Sequence, residues 1–340
     1  MRTAVALSEL VANALAAAQN SGSLPPSGDA EVKIEIPQQA EHGDFSTSLP
    51  LRLARATRMA PLAIGEAIVA ALPANDLVSR AWVARPGFIN LELSRDFLRR
   101  QVTEIRSAGE SYGASDAGVG AHVQVEFVSV NPTGPLHVGH TRGAVIGSGL
   151  ANLLEVAGYK VQREYYVNDG GNQMHVFNET LYARFMQAAG RDVPLPDPAY
   201  PGEYLVELAA QLYEELGDAL LSTPKESAIA ELAPPALAAT LELIRKDLED
   251  LGVHYDLWFS EKSLIDDGQF DQAMSVMDER GYLANRDGAK WFLSTKLGED
   301  KDNVVIRSDG GGPTYLGTDF AYHYNKYLVR GFDRVINVGG

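Results

Sequence analysis

The sequence contains no cysteine, and this absence excludes disulfide bonds and metal sites built on thiolates. It fits a reducing compartment, so we expect a cytoplasmic protein. No apolar run reaches the roughly 18 residues that indicate a transmembrane helix, so we expect no membrane partner. Ser8 and Glu9 interrupt the apolar N-terminal stretch, which predicts an amphipathic helix rather than a signal peptide.

Basic residues are comparatively scarce. The 340 residues include 29 Lys and Arg against 45 Asp and Glu, which gives a formal net charge of −16. Because phosphates are neutralised by Lys and Arg, this balance argues against a nucleic-acid binder. It does not exclude a local basic face. The length predicts about two domains with ample core.

Several common signatures of catalytic and metal sites are missing. The sequence has no G-x-G-x-x-G after the first strand of its nucleotide-binding region and no Walker lysine, which disfavours dehydrogenases and P-loop enzymes. It also lacks H-E-x-x-H, the zinc-binding pattern of many metalloproteases. Two histidines without that pattern would need an assumed third ligand to form a metal site. We expect no tightly bound metal.

The stretch 123–157 carries the strongest functional signal. Residues 123–128 alternate as a strand, a Gly/Pro-rich turn follows at 131–135, and a helix is predicted from 136 to 157. A strand, a tight turn and a helix N-terminus bring free backbone N–H groups and a positive dipole end to one point. Phosphate is the natural occupant of such a point.

Two histidines stand at the start of this helix. His137 and His140 lie on one face of the first turn, where they can donate hydrogen bonds as charge moves onto a leaving pyrophosphate. Gly139 lacks a Cβ, so a flat base can lie against the backbone. A structural role or a metal pair is the alternative for the histidines. Small residues later in the helix predict close approach to the sheet: Gly143, Ala144, Gly147 and Gly149.

The following residues predict a parallel α/β fold. Strand-like alternation at 159–167 and a helical pattern at 172–189 continue a strand–helix–strand–helix order, which is typical of a doubly wound parallel sheet. We therefore expect a Rossmann-like nucleotide-binding domain at 118–340. Residues 190–267 predict a helical insertion, with one helix broken by Pro234 and Pro235.

The first 117 residues predict a separate, small α+β domain without a catalytic constellation. Arg52, Arg55 and Arg58 recur every three residues on a predicted helix. Such a stripe can track a phosphate backbone. A solvated helix face is the alternative, and the sequence does not decide between them.

These motifs together resemble one family. H-V-G-H at 137–140 is similar to the H-I-G-H signature of class I aminoacyl-tRNA synthetases. The flank V-S-V-N-P-T-G-P-L-H-V-G-H-T-R-G-A and the segment Y-Y-V-N-D-G-G-N-Q at 165–173 resemble arginyl-tRNA synthetases. H-G-D-F-S-T at 42–47 and P-G-F-I-N at 86–90 resemble the additional N-terminal domain of that family.

The resemblance implies an arginine–tRNA ligase. L-arginine and ATP, which is a substrate accompanied by Mg²⁺, would give arginyl-adenylate and pyrophosphate. The arginyl group would then pass to tRNA-Arg, which is expected to bind before activation. The resemblance assigns catalysis to His137 and His140, and ATP binding to both together with Pro135 and Gly139. We expect a monomer.

Arginine as a substrate needs a carboxylate for its guanidinium, placed at the carboxyl ends of the strands. Asp319 follows a predicted strand, and Tyr315 shares its face if that turn is helical. Glu126 lies within an apolar strand and needs a cationic partner, which a bound guanidinium or amine would supply. The alternatives are a helix N-cap for Asp319 and a water-facing edge strand for Glu126. The resemblance assigns arginine binding to Glu126, Asn131, His140, Tyr315 and Asp319.

The resemblance also assigns residues that contact tRNA. Phe88 and Asn90 would contact the elbow of the tRNA, where a ring can stack on an unpaired base and an amide can pair with its edge. A core ring and a turn residue are the alternatives. Arg52 and Arg55 of the basic stripe are further candidates for tRNA binding, through contacts to the phosphate backbone rather than through the resemblance.

Parts of the family pattern are absent. The sequence has no K-M-S-K-like loop, and no lysine lies between Lys33 and Lys160 to compensate for it. We expect that loop, a glutamine of the arginine pocket and the anticodon domain beyond Gly340. This predicts a fragment that is inactive or weakly active alone. A small-molecule nucleotidyltransferase of the same superfamily and a non-catalytic tRNA-binding module are the alternatives.

Overall fold

The computed structural model describes residues 2–28, 31–308 and 312–339. The chain divides into two compact units, Met1–Tyr112 and Gly113–Gly340, whereas the sequence places the division after residue 117. Each unit has its own hydrophobic core, and each is described by itself.

The first unit is a small α+β fold around a three-stranded antiparallel sheet of order β1-β3-β2. The alternation of residues 32–36 predicts a strand, and this prediction is wrong, because only a single bridge, from Glu35 to Ser46, is present there among the described residues. The elements are α1 (Arg2–Asn20), β1 (Phe45–Thr47), α2 (Leu49–Thr57), α3 (Pro61–Ala70), β2 (Val78–Ala84), β3 (Phe88–Leu93) and α4 (Arg95–Ala108).

The second unit contains a four-stranded parallel sheet and the helices around it. Its first elements are β4 (His122–Phe127), α5 (Val138–Val156), β5 (Lys160–Val167), α6 (Gly171–Ala188), α7 (Glu203–Leu216), α8 (Lys225–Asp250), β6 (Leu257–Ser260) and α9 (Glu261–Asp266). The remaining ones are α10 (Gln269–Glu279), β7 (Leu283–Arg286), β8 (Ala289–Phe292), β9 (Asn303–Ile306), α11 (Tyr315–Tyr324), a π-helical turn (Asn325–Val329) and β10 (Arg334–Val338).

The parallel sheet has the order β10-β4-β5-β6. The chain builds outward from β4 to β6 and then returns to the other side of β4, which confirms the predicted doubly wound fold. The strand order therefore reverses between β4 and β10. In such sheets, ligands bind at the carboxyl ends of the strands beside this switch point.

The region 190–267 corrects two predictions. It contains β6, a strand of the main sheet, so helices do not fill it to its end. Helix α8 also runs without a break through Pro234 and Pro235. Pro234 is exposed, so the backbone groups that lose their hydrogen bonds near it can bind water, and the buried face of the helix holds the segment in place.

Helix α8 is long and apolar enough to cross a membrane when judged by length and composition. In the structure, its residues at four-residue spacing pack into the protein. Ala228, Leu232 and Ala236 lie in a core cluster with α6 and α7, and Ile244 and Leu248 lie in the core of the parallel sheet. This helix is therefore a core element of the second unit.

A second, antiparallel sheet of order β7-β8-β9 completes the unit. The segment 282–293 with turn residues at Asp287 and Gly288 predicts a hairpin, and the pairing of β7 with β8 confirms it. Both turn residues have positive φ, 51° and 75°. This is the combination that a two-residue type I′ hairpin loop requires.

Helix α5 lies close to β4 at Gly147. A Cβ at this position would overlap the buried ring of Phe127, whereas a Cβ at Gly149 meets no atom within 4 Å. The predicted close approach of helix and sheet is therefore confirmed at Gly147. It does not extend to Gly149.

We expect Gly147→Ala to destabilise the protein by about 1–3 kcal/mol, since the added methyl group must displace a packed aromatic ring. The matched control Gly149→Ala should be neutral or stabilising by up to about 1 kcal/mol, because alanine favours the helix. Urea unfolding of both variants measures the difference. Equal stability of the two would contradict the proposed contact.

Candidate functional site

The chain makes an unusual turn as it leaves β4. Val128 and Ser129 both have positive φ, 68° and 44°, and this conformation is rare for a β-branched residue such as valine. The segment is held by three hydrogen bonds of 3.0 Å: Tyr255 Oη to the Phe127 carbonyl, the Tyr166 amide to Ser129 Oγ, and Tyr165 Oη to the Val130 carbonyl. They fix the point from which the histidine loop departs.

The two histidines form a stacked pair at the N-terminus of α5. Their ring centroids are 3.6 Å apart. His137 is the N-cap residue, and its Nδ1 accepts a hydrogen bond from the Gly139 amide at 3.1 Å. His140 Nδ1 accepts one from the His137 amide at 3.4 Å. Because each Nδ1 accepts, each neutral ring carries its proton on Nε2.

The charge state of His140 follows from its surroundings. Burial first, and then the neighbouring His137, lower the pKa of His140, so the ring is neutral at neutral pH. Its Nε2–H is a donor that the capping contact leaves unused. Gly139 is required by this arrangement, since a Cβ there would lie 2.9 Å from the His137 ring.

A cavity of about 420 Å³ opens at the switch point between β4 and β10. Of the four residues predicted to bind ATP, His137, Gly139 and His140 line it, whereas Pro135 is exposed outside it. The other lining residues are Val128, Val130, Arg142, Gly143, Ile146, Val338 and Gly339. The fold thus places the histidines where doubly wound sheets bind nucleotides.

Glu126 has a cationic partner within the protein. Lys326 is fully buried, and its Nζ lies 2.6 Å from Glu126 Oε2. The alternative of a water-facing edge strand is wrong, because β4 is an inner strand between β10 and β5. A lysine of the chain itself supplies a cationic partner, and the contact of Glu126 with arginine stays a prediction.

A second buried ion pair lies beside the first. Glu164 on β5 is fully buried and receives both terminal nitrogens of Arg330, with the Nη2–Oε1 distance at 2.9 Å. Tyr322 donates to the same carboxylate at 2.5 Å, and Gln124 on β4 donates to Tyr322 Oη at 3.3 Å. The two pairs join α11 and the π-helical turn to the central strands.

Asp319 lies on α11, one turn after Tyr315. Thr314 is the N-cap residue of this helix, with its side chain accepting from the Gly317 amide, so the alternative of an Asp319 N-cap is wrong. The Asp319 side chain reaches the surface. Partial burial by the surrounding protein is nevertheless the largest cause that raises the pKa of its carboxyl, and the charge of Glu126 raises it further. His323 and Lys326 act in the opposite direction. No ion pair or side-chain hydrogen bond of Asp319 is present within residues 2–28, 31–308 and 312–339.

Tyr315 lies at a different opening, a cavity of about 220 Å³ beside the N-terminus of α6. Glu261 lines the same cavity and is buried. Burial raises the pKa of Glu261, whereas hydrogen bonds from Thr318 and Tyr166 act to lower it. Asn131 donates to Gln173 near the start of α6 and so ties the loops after β4 and β5 together.

The structure therefore groups the predicted arginine-binding residues only in part. The charge of Glu126 contributes, after burial, to the raised pKa of Asp319. Burial first, and then the charges of Glu261, Asp319 and Glu126, raise the pKa of Tyr166. His140 lies at the switch-point cavity and Tyr315 at the smaller one. The described part of the chain contains no group of three or more potential metal ligands.

In the first unit, Phe88 and Asn90 line a common cavity of about 470 Å³. Asn90 is buried, and its Nδ2 has no hydrogen-bond partner in the described part of the chain. The alternative of a turn residue is wrong, because Asn90 lies within β3. A buried asparagine with an unused donor and a partly exposed ring thus border one opening.

Arg52 and Arg55 are exposed on α2, and Arg52 donates to the Glu31 carbonyl at 2.6 Å. Arg58 follows the end of the helix with a positive φ of 55°, so the basic stripe does not continue regularly to it.

Sequence patterns did not indicate Lys326, Glu261 or Arg330. The partners of Lys326 and Arg330 lie 200 and 166 residues away along the chain, and no local spacing encodes such contacts. One signal was present: a carboxylate within an apolar strand requires a cation, and Lys326 is a cation within an aromatic helical segment.

Two family profiles match the chain. The arginyl tRNA synthetase N-terminal domain matches residues 6–93, and the catalytic domain of the class I (R) tRNA synthetases matches residues 101–199. The second match includes the histidine pair and the strand before it. The chain belongs to the arginyl-tRNA synthetase family.

Individual arginyl-tRNA synthetases are similar over nearly the whole chain. The arginine–tRNA ligase of Dehalococcoides mccartyi is 46% identical over 332 residues, which are 98% of this chain and 59% of that protein. The ligase of Geobacillus kaustophilus is 46% identical over 311 residues, or 91% and 56%. The chain therefore spans less than two thirds of the length of these relatives.

Solved arginyl-tRNA synthetases share the fold. The putative Campylobacter jejuni enzyme gives a TM-score of 0.65 at 34% identity, covering 72% of this chain and 53% of that one. The Thermus thermophilus enzyme gives 0.59 at 25% identity, covering 95% and 53%.

We expect Arg330→Met to destabilise this arginyl-tRNA synthetase chain by about 3–5 kcal/mol, because it leaves the carboxylate of Glu164 buried without its cation. Adding Glu164→Gln should recover part of the loss. The control Arg99→Met removes an ion pair with Asp96 in which both side chains are 78% exposed, and it should cost at most about 1 kcal/mol. Urea unfolding compares the variants, and equal losses for Arg330→Met and Arg99→Met would contradict this account.

Proposed function

We propose that the full-length protein is an arginine–tRNA ligase, which activates L-arginine with ATP and transfers the arginyl group to tRNA-Arg. The observation that carries this proposal is Asp319. Its carboxylate lacks a partner in the described part of the chain, lies near Glu126 and has a raised pKa. A guanidinium group would supply the missing positive charge and can bind a carboxylate through two parallel hydrogen bonds.

The histidine pair supports the activation step. The carboxylate of arginine attacks the α-phosphorus of ATP, the bond to the β-phosphate oxygen breaks, and negative charge moves onto pyrophosphate. The free Nε2–H groups of His137 and His140, together with the N-terminus of α5, are donors suited to that charge. The reaction needs positioning and charge stabilisation rather than a protein nucleophile.

Magnesium would accompany ATP as part of the substrate. Among the residues that the structure describes, none with a carboxylate lines the switch-point cavity. Phosphate oxygens and water would therefore supply its ligands, which is a common mode of Mg²⁺ binding.

The first unit would contribute tRNA binding. The Asn90 amide has an unused donor and shares a cavity with the Phe88 ring, which suits an unpaired base that stacks and pairs at its edge. Arg52 and Arg55 would contact the phosphate backbone. We infer a cytoplasmic, monomeric enzyme.

Arginine should bind, and citrulline should not, because citrulline keeps the shape of arginine but lacks its charge. Asp319→Asn should weaken arginine binding by about 100-fold or more, the loss expected for a charged hydrogen-bonded pair.

The Asp319→Asn variant should not be less stable than the wild type at neutral pH. A carboxyl whose folded pKa is raised costs stability increasingly as the pH rises above the unfolded pKa, and asparagine removes that cost.

Calorimetric titration of the full-length protein with L-arginine, L-lysine and L-citrulline, with ATP present, measures these affinities, and thermal unfolding measures the stability. Equal binding of arginine and citrulline would overturn the assignment of the substrate. Arginine binding that is unchanged in Asp319→Asn would overturn the assignment of the residue.

We expect Phe88→Leu to weaken tRNA-Arg binding by about 5- to 100-fold, which corresponds to the ~1–3 kcal/mol that stacking contributes per base. Leucine keeps the apolar character but provides no ring. Phe97→Leu is the control, because Phe97 packs against the same core and does not line the cavity. Gel-shift titration at fixed salt compares them, and equal affinities for both variants would argue against base stacking at Phe88.

A further inference from the structure

The buried Glu126–Lys326 pair lies beside the proposed arginine pocket. We propose that Lys326 is a positioning residue of this pocket: its ion pair fixes the Glu126 carboxylate in one orientation and balances its charge, so that the pocket presents a single net negative charge to the substrate. This inference rests on the proposed function. Lys326 does not itself contact the substrate in this proposal; it acts through Glu126.

The geometry of Lys326 indicates a fixed contact. The side chain is fully buried, and Nζ is 2.6 Å from Glu126 Oε2, 3.4 Å from Asn337 Oδ1 and 3.8 Å from the ring centroid of Tyr322. A carboxylate, an amide oxygen and an aromatic face therefore surround the ammonium group. Burial lowers the pKa of Lys326, and the charge of Glu126 opposes that change.

The backbone is adapted to place this lysine. Lys326 lies in a π-helical turn, where the Arg330 amide donates to the Asn325 carbonyl at 2.9 Å. The wide turn allows the consecutive residues Asn325 and Lys326 both to be buried. Single π turns within helices are rare and occur frequently at functional sites.

Glu126 keeps one oxygen for another partner. Its side chain is 14% exposed, and within the described residues only Oε2 makes a hydrogen bond, to Lys326. Its position on β4 is fixed by pairing on both sides, with Asn337 on β10 and Glu164 on β5. The free Oε1 is therefore presented in one orientation.

The net charge of the proposed pocket then matches a ligand group with a single positive charge. Asp319 and Glu126 together carry two negative charges, and Lys326 cancels one of them. A guanidinium group would cancel the second. Without Lys326, two neighbouring carboxylates would face a single positive charge, and one of them would favour its protonated form.

The titratable and polar groups around this pair and Asp319 come from several elements. Glu164 on β5 and Arg330 after the π turn act on Lys326, and Asn337 on β10 lies 3.4 Å from its Nζ. Glu126 acts on Tyr322 of α11, His323 acts on Asp319, and Glu261 at the start of α9 acts on Tyr166 together with Asp319 and Glu126. Lys326 is the one cation among them that contacts Glu126. Removal of Lys326 should therefore change the protonation of the carboxylates beside it more than that of carboxylates elsewhere in the protein.

The test is the pH dependence of L-arginine affinity, measured by calorimetry on the full-length protein between pH 6 and 8.5. In Lys326→Met, an unpaired, partly buried carboxylate binds a proton as the pH falls, and the protonated form does not attract a guanidinium. We expect the affinity of this variant to fall about tenfold more than that of the wild type across this range. The wild type retains only the dependence set by Asp319.

Two further variants separate positioning from stability. Glu126→Gln combined with Lys326→Met leaves no unpaired charge, so it should fold and should return the pH dependence to that of the wild type, with weaker binding throughout. Arg163→Met removes an ion pair with Glu155 of α5, on the opposite face of the same sheet, and should leave the pH dependence unchanged.

Each outcome is decisive. A wild-type pH dependence in Lys326→Met, in a protein that still binds arginine, would overturn the role of Lys326 and leave the proposed function intact. Retention of the steep pH dependence in the double variant would also overturn it, since Glu126 could not then be the protonated group. A wild-type protein that does not bind arginine would overturn both proposals.

Discussion

Two buried ion pairs fix the geometry of the second unit. Glu126–Lys326 and Glu164–Arg330 join neighbouring inner strands of the parallel sheet to a single segment, α11 with its π-helical turn. Buried charges are costly unless they are paired and hydrogen-bonded. The segment that carries Lys326 and Arg330 therefore has one favourable position on the sheet. Asp319 and Tyr315 lie on that segment, so their positions depend on the same two pairs.

The nucleotide side of the site depends on a different constraint. The chain leaves β4 through two residues in the left-handed region, and hydrogen bonds involving Tyr165, Tyr166 and Tyr255 hold this turn. Strain of this kind persists only where surrounding structure determines it. It directs the loop so that the stacked histidines meet the switch point of the sheet. The proposed substrate side and the proposed nucleotide side of the site are thus both fixed by β4, at Glu126 and at Val128, the residue that follows the strand.

The first unit shows how a small fold can bring together the groups that a binding site needs. Its share of the net charge of the chain says little about whether it binds RNA. In our proposal, a buried asparagine beside a partly exposed ring would provide base recognition without a strongly basic surface. Such a site fits an acidic protein that contacts one nucleotide rather than a long duplex.

The sequence by itself determined the parallel α/β fold, the hairpin at Asp287 and Gly288, the histidine site at the start of α5 and the family. These features are local: alternation, turn residues and helix starts are encoded within about ten to thirty neighbouring residues, and the family motifs are contiguous. It did not determine the continuity of α8 through Pro234 and Pro235, because packing of a buried face overrode a local preference.

Only the tertiary structure decided which charges meet. From the sequence, Glu126 required a cation, and a ligand was the expected source. The structure supplies Lys326 instead, 200 residues away, and leaves Asp319 as the carboxylate without a partner in the described chain. The physical reason is that a charge buried in a sheet is neutralised by whichever element folds over it, and that element is chosen by the whole topology rather than by neighbouring residues.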